Sequence, residues 1–206
     1  MAANLATHIP IIPLITVSGN TPLTESIPEQ ASQTFKQGAP VQLNAGYVKI
    51  WDGTTVTAGI VGVANQFASN LASSGQGAPL PFGQIGPPGA IQTYGSVPNE
   101  PSAVNIALAT PITDGRTLVN LAASDTIFEA MCDASSGSVY APTQASVGTF
   151  YGLTADSNGY WYVDLGKTTV GTNTVVQCVG INPIDGLINN ARLRFVFAIA
   201  ARQYNQ

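Results

Sequence analysis

Apolar and polar residues alternate with a period of two through much of this chain. Residues 159–166 (GYWYVDLG) set Trp161, Val163 and Leu165 against Tyr160, Tyr162 and Asp164. Residues 192–201 (RLRFVFAIAA) set Leu193, Phe195, Phe197 and Ile199 against Arg192, Arg194, Val196 and Ala198. That period belongs to strands with one face buried. Short runs rich in β-branched and aromatic residues recur at 34–43, 46–53, 59–67, 105–112, 117–123, 126–134, 147–156 and 175–184. Gly38-Ala39-Pro40, Asn44-Ala45-Gly46 and Asp52-Gly53 punctuate the first of them as turns. Within 46–53, Tyr47, Lys49 and Trp51 share one face and Val48 and Ile50 the other. Within 126–134, Phe128, Ala130 and Cys132 form the apolar face, and Glu129 and Asp133 line the polar one. No amphipathic helix of any length is predicted, and at most one helical turn, over Ile184–Asn190. The pattern predicts an all-β fold, a barrel or a sandwich.

Two segments depart from it. Residues 1–30 hold four prolines among apolar and small polar residues, which favours extended backbone over helix. Such an arm cannot bury itself and needs a groove on its own domain or on a neighbour. The second is the preferred expectation, with Ile9, Ile11, Ile12, Leu14 and Ile15 as contacts to a partner or a sister subunit. Residues 66–104 are rich in Gly, Pro, Ser and Ala and have too few large apolar side chains for a core. They read as an irregular excursion anchored by Phe82, Ile85, Ile91 and Tyr94. The expected organisation is therefore an arm over 1–30 and one β domain over 31–206.

Charge sharpens this picture. Charged residues make up 9% of the chain, against roughly a quarter in ordinary globular domains. None lies between Asp52 and Glu100, and before Glu25 the only titratable side chain is His8. Uncharged stretches of this kind that are not membrane spans are expected to lie flat on another protein surface. The net charge of −4 and seven basic residues argue against nucleic acid, which needs clustered cations. Arg192 and Arg194 share a strand face suited to a solvated edge or an acidic partner. No apolar run reaches the roughly 20 residues of a membrane helix, and Pro10 and Pro13 interrupt the N-terminal one. Cys132 and Cys178 are too few for a disulfide scaffold or, with one His, for a metal centre. They are expected as buried thiols in a protein made in a reducing cytoplasm.

Nor does a reactive constellation stand out. The single His8 has no framed Ser or Cys near it, and no G-x-S-x-G elbow occurs. The acids are scattered over separate strands and turns. Asp156-Ser157-Asn158-Gly159 has the oxygen donors of a calcium loop but neither its glycine position nor its closing Glu, so it reads as a hairpin turn. Neither a cofactor nor catalysis is expected. Among the aromatics, Trp161 is expected in the core, and Tyr160 and Tyr162 as surface contacts of the kind that stack on sugars or anchor interfaces.

A weak internal echo is also present. Thr34-Phe35, Gly46-Tyr47 and 61–65 (VGVAN) recur in order as Thr149-Phe150, Gly159-Tyr160 and 179–182 (VGIN). Hairpin grammar accounts for this as well as duplication does. The order Phe35-Lys36-x-Gly38-Ala39-Pro40-Val41, Gly46-Tyr47-Val48, an Asp-Gly turn, then Ile60-Val61-Gly62-Val63-Ala64 resembles the head decoration (cement) and related auxiliary capsid proteins of tailed bacteriophages. The likeness is close over about a third of the chain. It implies an all-β domain, without catalytic residues, bound outside an icosahedral head and bridging major capsid protein subunits. On that resemblance the chain is expected in the virion as a dimer or trimer, made in the host bacterial cytoplasm. The alternative is a receptor- or glycan-binding appendage of the head or tail.

Overall fold

The structure, a computed structural model, describes residues 10–30, 33–68, 116–135 and 141–203. Eleven strands appear among them: β1 (Ile12–Thr16), β2 (Thr24–Pro28), β3 (Pro40–Asn44), β4 (Tyr47–Ile50), β5 (Gly62–Ala64), β6 (Arg116–Leu121), β7 (Thr126–Asp133), β8 (Phe150–Ala155), β9 (Trp161–Asp164), β10 (Val176–Ile181) and β11 (Arg192–Phe197). Two 3-10 turns, Gln144–Ser146 and Ile199–Ala201, are the helical elements of the described residues. The all-β expectation holds. The run at 105–112 and the anchors of the 66–104 excursion lie outside the described residues. That stretch separates β5 from β6, which pair directly with each other.

One sheet runs β1-β7-β11-β10-β8-β9, and a parallel pairing of β7 with β9 closes its last five strands into a barrel. The other runs β2-β6-β5-β3-β4. Its ends meet through a parallel bridge between Glu29 and Val48, with the Gln30 N–H donating to Val48 O at 2.8 Å.

The two five-strand sets have the same order and directions: β2, β6, β5, β3 and β4 correspond to β7, β11, β10, β8 and β9. The register also agrees around the whole circuit. Glu25 faces Val119 as Phe128 faces Phe195, and Gly62 faces Leu121 as Val176 faces Phe197. Val41 faces Gly62 as Tyr151 faces Val176, and Leu43 faces Val48 as Leu153 faces Val163. The circuit ends with Glu29 beside Val48 as Cys132 is beside Val163.

Local chemistry explains the hairpins. Ala45 and Gly46 both take positive φ (50° and 87°), making the two-residue turn whose twist matches the strands it joins. At Asp156–Tyr160, the Asp156 carboxylate accepts the N–H groups of Asn158 (2.8 Å) and Tyr160 (2.9 Å), and Gly159 takes φ 80°. The DSNG segment is a turn, as expected.

Residues from both sets form one core. Phe128 lies edge-on to Phe197 at 5.1 Å, and Phe195 edge-on to Phe197 at 5.6 Å, inside the second barrel. Trp51 meets Trp161 at 5.4 Å where the two units touch. The last described residues cross back to the first unit: Gly59 and Ile60 N–H donate to Ala201 O, and the Gln203 side chain spans both the N–H and C=O of Leu43.

Three expectations change. Residues 10–30 are not a free arm, because β1 pairs with β7 and β2 with β6 of the same chain. Trp51 does not stay on the face of Tyr47 and Lys49. β4 stops at Ile50, and Trp51 turns inward, its Nε1 donating to Thr55 O at 2.9 Å. Ile199 leaves the apolar face of its strand because β11 ends at Phe197 and the chain enters a 3-10 turn. Over 184–190 the chain makes turns and no helix, with Gly186 N–H donating to Asn182 O, in line with the expectation.

Candidate interaction surface

The residues expected to touch a partner separate into distinct groups. Ile11 is buried, and its backbone lies against Gly38, where a Cβ would come within 2.5 Å of the Ile11 nitrogen. Ile12 and Leu14 are half-buried in β1, antiparallel to β7 with a register shift between Pro13 and Ile15. These three serve the fold of this chain, and Ile15, at 45% exposure, is the member of the set open to a partner. Ile9, Phe82, Ile85, Ile91 and Tyr94 lie outside the described residues.

Tyr160 is half-buried, with Lys36 Nζ 4.1 Å from its ring centroid. Tyr162 is buried beside Met131 and is not a surface contact. β9 forms the closing seam, so both its faces are covered. Burial first, and then the charges of Asp164, Asp133 and Asp156, push the Tyr162 hydroxyl pKa well up. Trp161 is buried, as expected.

The few charges of the chain are drawn inward. Seven basic and eleven acidic residues make eighteen, and Glu29, Glu129, Asp133, Asp164 and Arg202 are all buried. Glu129 does not line a solvated face: it accepts Asn182 Nδ2 at 2.9 Å, Arg192 Nη1 at 3.1 Å and Arg194 Nε at 3.4 Å. Arg192 also donates Nε and Nη2 to Asp185 at 2.7 and 2.8 Å, and its backbone N–H to the same carboxylate at 2.9 Å. The hydrogen bond from Arg192 holds the Asp185 carboxyl below its ordinary pKa despite some burial. Both arginines expected at a free edge are therefore engaged within the chain.

A second acidic grouping marks the barrel seam, where Asp133 and Asp164 stand opposite each other in register. Asp164 accepts Ser135 N–H (3.1 Å), Ser135 Oγ, Thr154 Oγ1 (2.7 Å) and Gly166 N–H (3.0 Å). Asp133 accepts only Ala134 N–H, at 2.7 Å, and its Oδ2 is buried without a partner. Burial above all, reinforced by Asp164, raises the Asp133 pKa. Cys132 and Cys178 are buried, reduced cysteines, and burial pushes Cys132 up to about 12. Among the described residues no three metal-ligating side chains converge.

Large aliphatic side chains occupy the surface that charge leaves open. The clearest case is the loop from β10 to β11, where Ile184 is 87% exposed and Leu187 and Ile188 also face solvent. The buried network fixes this loop from beneath. Ile184 N–H donates to Asn182 Oδ1 at 2.8 Å, Gly186 N–H to Asn182 O at 3.0 Å, and Arg192 grips Asp185. Sequence reasoning missed it, because Ile184 ends the run 175–184 and Leu187 and Ile188 fall in the single turn expected over Ile184–Asn190. The available signal was three branched aliphatics set among the turn residues Pro183, Gly186, Asn189 and Asn190, with no strand to bury them. Val17, Val170 and Ile199 are similarly exposed.

Comparison with protein-family models, with curated proteins and with solved structures finds no match to this chain.

Proposed function

We propose that this chain is a virion structural protein, a decoration or cement protein that binds the outside of a tailed-phage head and bridges neighbouring major capsid protein subunits, itself as a homo-oligomer. The observation that carries the reading is a surface short of charge: few charged residues, five of them buried, while Ile184, Leu187 and Ile188 stand out on a braced loop. A soluble enzyme or a nucleic-acid binder has the opposite need. The segments resembling decoration proteins, Phe35–Val41, Gly46–Val48 and Ile60–Ala64, supply β3, β4 and β5 and the turns around them, so the likeness rests on one unit of the fold.

Adhesion of this kind buries apolar area, worth about 25 cal/mol per Å², and few ion pairs contribute. Individually weak contacts repeated over a fixed lattice reinforce each other through effective concentration. The glycan- or receptor-binding alternative is left with Tyr160 of its two tyrosines, since Tyr162 is buried, and Lys36 lies over the Tyr160 ring.

The test is co-sedimentation with heads stripped of accessory proteins, in salt raised from about 0.1 to about 1 M, where the screening length shrinks from about 10 to about 3 Å. Retention throughout is the expected result. Failure to bind such heads, or release at moderate salt, would count against the proposal.

A further inference from the structure

We infer that the outer edge of β2 accepts an extended, uncharged strand donated by a second protein chain. The inference goes beyond capsid decoration and does not depend on it. Its basis is a difference between two units that otherwise match in strand order and register. In the second unit, the edge of β7 is covered by β1, with Ile12 facing Glu129, Pro13 facing Phe128, Ile15 facing Ile127 and Thr16 facing Thr126. Phe128 corresponds to Glu25, so the equivalent edge in the first unit runs from Leu23 to Ser26. Among the described residues no strand pairs there, and all four residues are exposed.

Backbone direction shows that this edge can bond. Leu23 O accepts the Leu121 N–H, so residues 23, 25 and 27 address β6, while 24 and 26 address the open side. Further along the open side, Pro28 has no N–H and the Gln30 N–H is taken by Val48 O, which ends the edge. Ser26 O is held by the Arg116 guanidinium, so an incoming strand displaces that side chain.

Edges left open in this way are templates for strand addition, which supplies affinity through main-chain hydrogen bonds. The chemistry of the occupant follows from the occupant of the sister edge. Ile12–Thr16 (IPLIT) is uncharged and β-branched, and the apolar side chains of Leu23 and Leu118 stand exposed at the vacant edge and on the neighbouring β6. The donated strand therefore runs antiparallel to β2 and carries branched aliphatic residues.

The test is amide exchange on the full chain with a synthetic peptide of residues 10–18 (PIIPLITVS), since β1 already fills the β7 edge. Exchange at Thr24 and Ser26 is expected to slow by about tenfold or more on peptide addition. Thr24→Pro, which removes an outward N–H, should abolish binding, whereas Thr24→Ala, which loses only the side-chain bond to Asn120, should retain it. Self-association that protects the same two amides without peptide would identify a second copy as donor and support the inference. Protection of Thr24 and Ser26 already in the monomer would mean that this chain covers its own edge, and would overturn it. So would peptide protection confined to other amides, or equal binding by the two variants. The exchange measurement uses the unaltered chain and decides the matter even if the proline variant does not fold.

Discussion

Replacing Asp133 by Asn is expected to stabilise this protein at neutral pH, while the same change at the facing Asp164 destabilises it. Asp133 is 1% exposed, with one oxygen accepting Ala134 N–H and the other without a partner. A buried polar atom left unsatisfied costs about 1–3 kcal/mol. Asparagine keeps an acceptor for Ala134 and places an uncharged donor beside the Asp164 carboxylate, so the expected gain is about 1–3 kcal/mol. For a chain of this size each kcal/mol is about 2–4 °C in melting temperature. The pH dependence has a definite sign. Burial, and then Asp164, raise the folded pKa of Asp133. Its stabilising contribution is thus complete below the unfolded value of about 3.9 and lost as pH rises through the folded one. The Asn variant has no proton to lose, and its advantage over the parent grows with pH. Urea melts of the two proteins at about pH 4 and about pH 8 measure it. An advantage that is absent at pH 8, or that shrinks between pH 4 and pH 8, would refute the argument. Asp164→Asn supplies the contrast, because its two oxygens together accept four hydrogen bonds that an amide cannot all receive.

Other consequences can be checked separately. Asp185→Ala frees the Arg192 guanidinium and should cost about 1.5–3 kcal/mol, the usual worth of a hydrogen bond to a charged group, with amide exchange rising at 184–190. Since Arg192 lowers the Asp185 pKa, the parent should lose the same bracing as pH falls through that lowered value, and exchange at 184–190 should then match the variant. Gly62→Ala should destabilise by well over the roughly 1 kcal/mol of an average substitution, because its Cβ would meet Asn120 O at 2.3 Å in the β5–β6 pair; chemical melts read this directly. Cys132 and Cys178 should resist a thiol reagent in the native state at pH 8, burial raising both pKa values, and react together once the chain is unfolded.

Much of the strand layout was legible because hairpin strands with one covered face keep a period of two. Phe128, Ala130 and Cys132, or Leu193, Phe195 and Phe197, announce the inside of a barrel without reference to any distant residue. What period two does not report is the other face. Glu129 and Asp133 occupy polar positions of β7, and both are buried, because Asn182, Arg192 and Arg194 reach Glu129 from other strands and β9 docks alongside Asp133. Partners 31 to 65 residues away leave no local mark. For the same reason the arm was misassigned. Ile12–Thr16 carries Pro13, and its partner β7 is more than a hundred residues away. The interaction surface failed in the opposite direction: Ile184, Leu187 and Ile188 were visible as residues, but only the Asp185–Arg192 contact shows that the loop is held rigid and its aliphatics turned outward.

The internal echo of the sequence and the internal symmetry of the fold do not coincide. The sequence similarity aligns Gly62 with Gly180, but strand pairing aligns Gly62 with Val176, four residues earlier. It likewise aligns Gly46 with Gly159, although the first hairpin turns in two residues and the second needs five. The recurring letters are turn chemistry repeated by need. The correspondence lies instead in pairing partners, with a circuit that closes at Glu29–Val48 and again at Cys132–Val163. Even the arginine beside each first strand recurs: Arg116 bonds Ser26, and Arg192 bonds Glu129, at matching positions. Two units alike in topology and register, but unlike in which side chains fill them, are free to diverge in what they contact. One has its edge sealed by β1 and its outer face braced by buried charge, and carries the apolar loop. In the other, no strand among the described residues pairs on the outer side of Thr24.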